Sequence, residues 1–543
     1  MAMHFPFFGS DSTRKSAKRT SQRREKDIRH RRRQLLVEAL EDRRLLAAFA
    51  DAGAQLNLNL NTASGALGIV SNGAATSYTL TLSGTEVWTS DGDTVNVTGT
   101  GTSTLTVTSA GQTAFTSGIN ITDSAADTSV NFNTSGLNTY VNNFTVTLDA
   151  ASAGTITFSG TSSFTGSAAL SVSTSRNIVF NSSAALSSVN GNLTLSANQQ
   201  ASPTGGSFIG IALSNATIST TGTGNISLSG RGGDTGGSQI GVQISAGGKI
   251  QPTGSGTVIV DGQGGASTSD FNLGVYVGGS QITSSGGAVL VEGTGGGAGS
   301  SSSNYGVSAK SGGVITNAGT GAGATVTVKG FGGNTVGTGG YNYGVKVDST
   351  GAQITSSGGA ISITGVSGGT SSPAIVVTNA GQIVATSGTP TVTVSGDSMD
   401  LTSSTSINAG ANPVVLKPWT TGTRINLGGA DVLSDSPLTL GLTAAELASI
   451  TAGTLQIGDT NSGNITVSDA IARSTATNLN VTTGSGKNIV FSGAGAFDSA
   501  GGNVTLTASG TGAITSGTAT TDITAGGRND LAERLFRRVR GLR

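Results

Sequence analysis

Two histidines, His4 and His30, are the only imidazoles in the chain. From residue 31 onward no Ser-His-Asp triad and no His-rich metal site can be built. Cysteine is absent, which removes disulfides, thiolate metal sites and cysteine nucleophiles. Acid–base chemistry is left to carboxylates, and cleavage of a polysaccharide would need a pair of them converging on one face. The candidates are Glu86 with Asp91 and Asp93, in the run TEVWTSDGDT, and Asp397 with Asp400. Asp91-Gly92-Asp93 fits a tight turn better, because Asp and Gly favour such loops. Gly428-Gly429-Ala430-Asp431 is one fragment of a Gly- and Asp-rich calcium repeat, without the array that binds the ion. Strings that fit a loose G-x-G-x-x-G/A pattern, such as Gly293 to Ala298, are expected by chance when 86 of 543 residues are Gly. Trp88 and Trp419 have faces that could stack on sugars, although a buried or capping aromatic is the commoner use of such a ring. These patterns assign no catalytic residue, no metal ligand and no cofactor.

The framework that must carry these residues is unusual. Charged residues are 11% and aromatics 4%, Pro is only 8, and Gly, Ser, Thr, Ala and Asn fill most of the chain. Disorder would bring high charge, more Pro and few β-branched residues. Here short runs of Val, Ile, Leu and Thr recur at regular spacing, which suits many short strands joined by Gly turns. Large side chains are too few for a conventional core. A stack of coils needs only a thin apolar interior, shared between neighbours.

The repeat is clearest from about 205 to 400. A small residue followed by alternating apolar positions recurs as Gly210-Ile211, Gly241-Val242, Gly274-Val275, Gly306-Val307, Gly344-Val345 and Ala374-Ile375, in steps of 31, 33, 32, 38 and 30 residues. A single Ile advances with it, at 218, 250, 282, 315, 354 and 383. So does a strand closing on Gly: ISLSG, VIVDG, VLVEG, VTVKG, ISITG and VTVSG, ending at Gly230, Gly262, Gly293, Gly330, Gly365 and Gly396. Three anchors moving together define a unit with three short strands. Alternation such as Val258-Ile259-Val260 turns every second side chain inward. Three strands with Gly-rich corners make one triangular coil, paired with the next through parallel ladders about 4.8 Å apart. A propeller blade would need about 40–45 residues and four strands. The expected fold is all-β, a parallel β-solenoid over residues 51–527, with extra residues before Gly306 and Gly344 looping out on one face.

The flanks share the pattern. RNIVFNSSAALSSVNGNLTLSAN, Arg176 to Asn198, returns as KNIVFSGAGAFDSAGGNVTLTAS, Lys487 to Ser509. Residues 412–471 are the most distinctive stretch. Thr443 followed by Glu446 is a capping box that starts a helix over about Ala444 to Ile450, with Leu447 and Ile450 facing the coil, before strands at Thr454–Ile457 and Asn464–Val467. This segment resembles a module of filamentous-haemagglutinin-like and autotransporter-like bacterial surface proteins. The resemblance implies a right-handed parallel β-helix, secretion, and an adhesive or surface-layer role. It transfers no binding residue to this chain.

The two ends differ from the middle. Residues 1–50 hold 13 Lys/Arg against 6 Asp/Glu, and residues 528–543 hold 6 against 2, which leaves 10 basic and 21 acidic residues between them. An acidic middle is a poor nucleic-acid binder, and no run approaches the roughly 20 apolar residues of a membrane span. In the leader, Glu38, Glu41, Asp42, Arg43 and Arg44 interrupt any signal-peptide apolar stretch. Arg32-Arg33-Gln34-Leu35-Leu36 is similar to a twin-arginine signal. LEDRRLLAA, Leu40 to Ala48, resembles the LEPR-XLL motif of large planctomycete-type surface proteins, through Leu40, Glu41, Arg43, Leu45 and Leu46, with Asp42 in place of the usual Pro. That resemblance implies export. The competing readings are an amphipathic helix with Leu36, Leu40 and Ala47 on one side, and a basic nucleic-acid arm. At the other end Leu531, Leu535, Val539 and Leu542 form one face of a short basic helix. It would serve as a terminal cap or a membrane-surface helix, or mark a truncated gene, and the abrupt change of composition points to the last.

The expectation is thus a non-catalytic cell-surface or secreted protein of structural or adhesin type. Its partner would be a carbohydrate or another cell-surface protein, with no nucleic acid and no transmembrane span. The competing reading is a carbohydrate-active enzyme on the same fold.

Overall fold

The computed structural model describes residues 46–525, apart from residues 64, 72–75, 91, 125–127, 133–136, 150–153, 370–371, 386, 389, 402–405 and 518–521. The C-terminal helix and the leader through Leu45 fall outside this range. Among the described residues the chain is all-β with two short helices, α1 (Ser109–Ala114) and α2 (Ala444–Ala448).

Successive strands go to different sheets in rotation. Ile211–Ser214, Thr217–Thr220 and Ile226–Arg231 pair in parallel with Val242–Ser245, Lys249–Pro252 and Val258–Gln263, the corresponding strands one coil later. Repetition of this step builds sheets of 17, 14 and 11 strands among the described residues, an arrangement compatible with a β-solenoid. The register follows the sequence anchors. Ile211, Val242, Val275, Val307, Val345 and Ile375 pair in turn. So do Ile218, Ile250, Ile282, Ile315, Ile354 and Ile383. The closing glycines 230, 262, 293, 330 and 365 stack likewise.

The interior follows from strand alternation. Val258 and Val260 are fully buried while Ile259 between them is 42% exposed. One inward ladder therefore runs through the stack, aliphatic in the middle and aromatic nearer the start. Phe132, Phe158 and Phe180 stack in neighbouring coils with centroids 4.8 and 4.5 Å apart. At Gly262 and Gly293 the next corner's carbonyl passes 2.1 Å from where a Cβ would stand, so these closing positions admit glycine alone.

The opening section departs from the expectation. The first strand among the described residues is Leu46–Asp51, so sheet structure is already present inside the stretch assigned to the leader, and Ala47 sits in a strand and not on a helix. Several pairings here are antiparallel: Leu46–Asp51 with Gln55–Asn59, Ala66–Ser71 with Tyr78–Leu82, and Tyr78–Leu82 with Thr104–Val107. Helix α1, capped by Thr108, follows them. Folding strands back at the start of the stack pairs edges that parallel coils would leave open.

A second departure lies after Leu401. The 14-stranded sheet ends at Met399–Leu401, and a new sheet starts from Arg424–Leu427 and Thr439–Leu442, continuing through Ile465–Val467. Helix α2 follows Thr439–Leu442. It ends at Ala448 and not at Ile450, which belongs to the short strand Ile450–Thr451; Leu447 and Ile450 are both buried. The buried Arg473 guanidinium donates to the carbonyls of Leu447 and Ile450 and closes the end of the helix.

Candidate functional site

The carboxylates offered by the sequence do not converge as one group. Asp91 lies outside the described residues. Asp93 Oδ1 accepts the amides of Gly99 and Thr100, each at 2.8 Å, and the Thr100 amide above all holds its carboxyl below the usual range. This is a turn-closing acid. Glu86 is buried, and so is Trp88, whose indole N–H donates to the Leu80 carbonyl at 3.2 Å. Asp397 clasps a loop: it accepts the amides of Trp419 (3.0 Å) and Thr420 (2.8 Å) and the hydroxyls of Thr420 (2.6 Å) and Thr423 (3.1 Å). Trp419, half exposed, rides on that loop.

Asp400 lines a cleft. About 510 Å³ opens between strand Met399–Leu401, the segment at Ala430-Asp431 and the start of α2, where Asp400, Asp431 and Glu446 meet Pro373, Met399 and Leu401. Strand alternation puts Asp400 outward between two inward neighbours. Asp431, read from the sequence only as part of a calcium-like fragment, accepts the Gly441 amide at 2.7 Å and the Met399 amide at 3.0 Å. Glu446 takes the Thr443 amide and hydroxyl, both at 2.8 Å, and the Leu401 amide at 2.9 Å. With Thr443 Oγ1 accepting the Glu446 amide at 3.3 Å, both halves of the capping box are formed. Met399 and Leu401 lie in the last strand of the sheet, and their outward amides would be unpaired there. Asp431 and Glu446 supply the missing acceptors. Burial first, then the charges of Glu446 and Asp400, push the Asp431 carboxyl up to about 7, and burial also raises Asp400. Chemically the cleft offers one carboxylic acid poised near neutrality and, among the described residues, no Lys or Arg in its lining. Among the described residues no group of three or more His, Asp or Glu is arranged to hold a metal ion.

The corner leading to this cleft carries two columns not anticipated from the sequence. Asn272, Asn304 and Asn342, each two residues before a small anchor, form a buried ladder. Asn304 Oδ1 accepts the amide and side-chain nitrogen of Asn272, and Asn342 Oδ1 accepts those of Asn304, all at 3.0 Å. Gln239 joins at one end through its amide to Asn272 (3.2 Å), and Ser372 at the other through its hydroxyl to Asn342 (2.9 Å). The recurring Asn-x-Gly was the visible signal. The next position outward forms a small apolar cluster of Ile240, Leu273 and Tyr305, with Tyr276 and Tyr343 packed on it. Tyr305 and Tyr343 stack at 5.2 Å, and the Lys346 ammonium lies 5.1 Å from the Tyr305 centroid.

Of the export motif, Leu40, Glu41, Arg43 and Leu45 lie outside the described residues, and Leu46 opens the first strand with its side chain exposed. Among the described residues no helix is long and apolar enough to cross a membrane. No family model, no curated protein and no solved structure matches the chain.

Proposed function

We propose that this chain is a non-catalytic structural or adhesive protein of the cell surface or exterior, built on a right-handed parallel β-helix. The observation that carries the reading is the use made of its acids. Asp93, Asp397, Asp431 and Glu446 are all spent on backbone amides that close turns, hold a loop and finish a sheet edge. A long framework in which these four acids are tied down presents an extended outer surface, which suits contact with another surface more than turnover. The LEPR-XLL-like leader and the haemagglutinin-like segment support export and adhesion. The test is brief protease treatment or impermeant labelling of intact cells that make the full chain. Modification in intact cells is expected. Protection until the cells are lysed would overturn the reading.

The competing reading is a glycan-cleaving enzyme, and one observation favours it: Asp431, titrating near 7, shares a cleft with Asp400. Against it, both Asp431 oxygens already accept amides. Full-length protein incubated with polyuronates and neutral polysaccharides, with and without calcium, is expected to release no reducing ends or unsaturated products. Turnover that disappears in Asp400→Asn would establish the enzyme.

A further inference from the structure

Successive coil corners repeat one backbone kink. Ser238, Phe271, Ser303 and Tyr341 each stand three residues before a small anchor, and their φ angles are 59, 65, 59 and 58°. This left-handed region is uncommon for any residue but glycine, and a bulky side chain there is an outlier. Two of these corners carry the small residue Ser. The other two carry aromatic rings that stand largely in solvent, Phe271 at 52% and Tyr341 at 64% exposure. Neither ring belongs to the apolar interior, so burial does not account for the strained backbone. Strained residues gather at ligand-binding positions, and the inference runs from such an outlier to a role.

The rings are also regularly placed. Val275 pairs with Val307 and Val307 with Val345, so Phe271 and Tyr341 are two coils apart. That is about 9.6 Å along the stack, comparable to the disaccharide repeat of an extended β-linked glycan. The corner between them is polar and stitched together. The Phe271 amide donates to the Ser302 carbonyl at 3.1 Å, and the Ser303 amide to the Gly340 carbonyl at 3.0 Å. The Ser302 hydroxyl accepts the Gly340 amide at 3.2 Å. Behind the ridge, Tyr341 meets Tyr343 edge-on with centroids 6.2 Å apart.

We propose that this corner ridge binds an extended, uncharged β-linked polysaccharide lying along the stacking axis, with Phe271 and Tyr341 stacked on sugar rings one disaccharide apart. A pyranose has an apolar C–H face that packs on an aromatic ring, and a rim of hydroxyls that needs polar partners. Solvent-facing rings separated by Ser and Gly meet both needs. A protein partner would call for a contiguous apolar centre, which the serines break. A polyanion is disfavoured because the nearby cation, Lys346, is already paired with Asp348 at 3.3 Å, and Asp270 precedes Phe271. The proposal deepens the surface-protein reading and rests on it only for where the glycan would be met.

The test is retention of full-length protein on microcrystalline cellulose and on chitin, with alginate gel as the charged control. Retention on at least one neutral glycan and none on alginate is expected. The double variant F271S/Y341S places at both corners the Ser that positions 238 and 303 already use, so it is expected to melt no lower than the parent. Its affinity should fall about tenfold or more, as loss of two stacking contacts implies. In the variant S303Y/Y341S the ring spacing is one coil, and weaker retention than the parent is expected. No retention on either neutral glycan, equal retention on alginate, or retention indifferent to F271S/Y341S would overturn the proposal. Surface labelling is read separately: labelled cells without glycan binding would sink the ridge proposal alone, and glycan binding by a protein shielded inside cells would sink the surface reading alone.

Discussion

Between Ile211 and Lys417 each coil repeats the last, and after Lys417 the chain leaves that repeat before rejoining it at Ile450–Thr451 and Thr454–Ile457. In the periodic block the inward side chains are mostly aliphatic and the anchors at the corners are small, and the register comes from stacking like on like. In the excursion no neighbour of the same shape exists. Individual carboxylates take over: Asp397 holds the loop at Trp419-Thr420, and Asp431 and Glu446 cover the amides of the sheet edge. The difference teaches where acids belong in such a framework. Asp397, Asp431 and Glu446 stand where the ladder is interrupted and an amide has lost its neighbour, which is also why they resemble a catalytic cluster.

The largest effect should come from the periodic block. Ile282 is fully buried and stacks between Ile250 and Ile315. Ile282→Ala leaves a cavity in a ladder that cannot collapse without moving its neighbours, and should cost about 2–5 kcal/mol. The loss is expected as a lowered urea midpoint. Because each coil contacts mainly its neighbours, hydrogen exchange should quicken first around residues 250, 282 and 315 and least in α2. Uniform acceleration across both regions would mean that the two are not held in different ways.

This contrast also explains what could be read in the sequence. The three anchors were legible because an inward Ile or Val and a corner Gly return at a nearly constant step, and the pairings reproduce them residue by residue. The Asn272–Asn304–Asn342 ladder was equally periodic but invisible as a ladder, since Asn before Gly is ordinary turn chemistry. The antiparallel start, Leu46 to Val107, has no period to betray it. The cleft was half seen. Asp400 was singled out with Asp397, but the two acids lie on different structures, one clasping a loop and the other outward on a strand. Asp400's true companion, Asp431, comes from a separate segment that no local pattern ties to it. The short helix was legible because its capping box is local, whereas its closure by Arg473 depends on a residue from a later coil.

A smaller effect separates the regions by pH. The Asp431 carboxyl titrates near 7 in the folded chain against an ordinary 3.8, so folding favours its protonated form. That stability is fully present below about pH 4 and is lost progressively as pH rises towards and through 7, by a few kcal/mol at most from the size of the shift. Asp400, also raised by burial, acts in the same direction. In the periodic block Asp348 has the opposite sign. Burial pushes it up, but the Asn379 hydrogen bond and the Lys346 ammonium outweigh that and hold it below its usual value. Its contribution is present above its unfolded value and is lost only as pH falls through the lower folded one. Between pH 5 and pH 8 the excursion should therefore weaken more than the block, where Asp261 is raised by burial and by the Glu292 charge but Asp348 is lowered. Urea midpoints measured at both values, on the parent and on Asp431→Asn, check this. The variant should show the shallower dependence, and an identical slope in the two proteins would remove Asp431 as the cause.

The smallest effect is expected at the cap of α2. Thr443 Oγ1 accepts the Glu446 amide at 3.3 Å and donates to Glu446 Oε2 at 2.8 Å. Removing the hydroxyl leaves the Glu446 amide without its acceptor, and the usual loss for an N-cap Thr is about 1 kcal/mol. The Glu446 carboxylate keeps two of its partners, the Thr443 amide and the Leu401 amide. The sheet edge should consequently stay closed, and the damage should remain within one helical turn. Thr443→Ala is expected to raise hydrogen exchange at residues 446–449 several-fold while residues 211–385 are unchanged, and Thr443→Ser should restore most of the protection. If Ser fails to restore it, the methyl group and not the hydroxyl is what matters at this position. If Ala alters the periodic block as well, the excursion is not the separately held region that its carboxylate contacts describe.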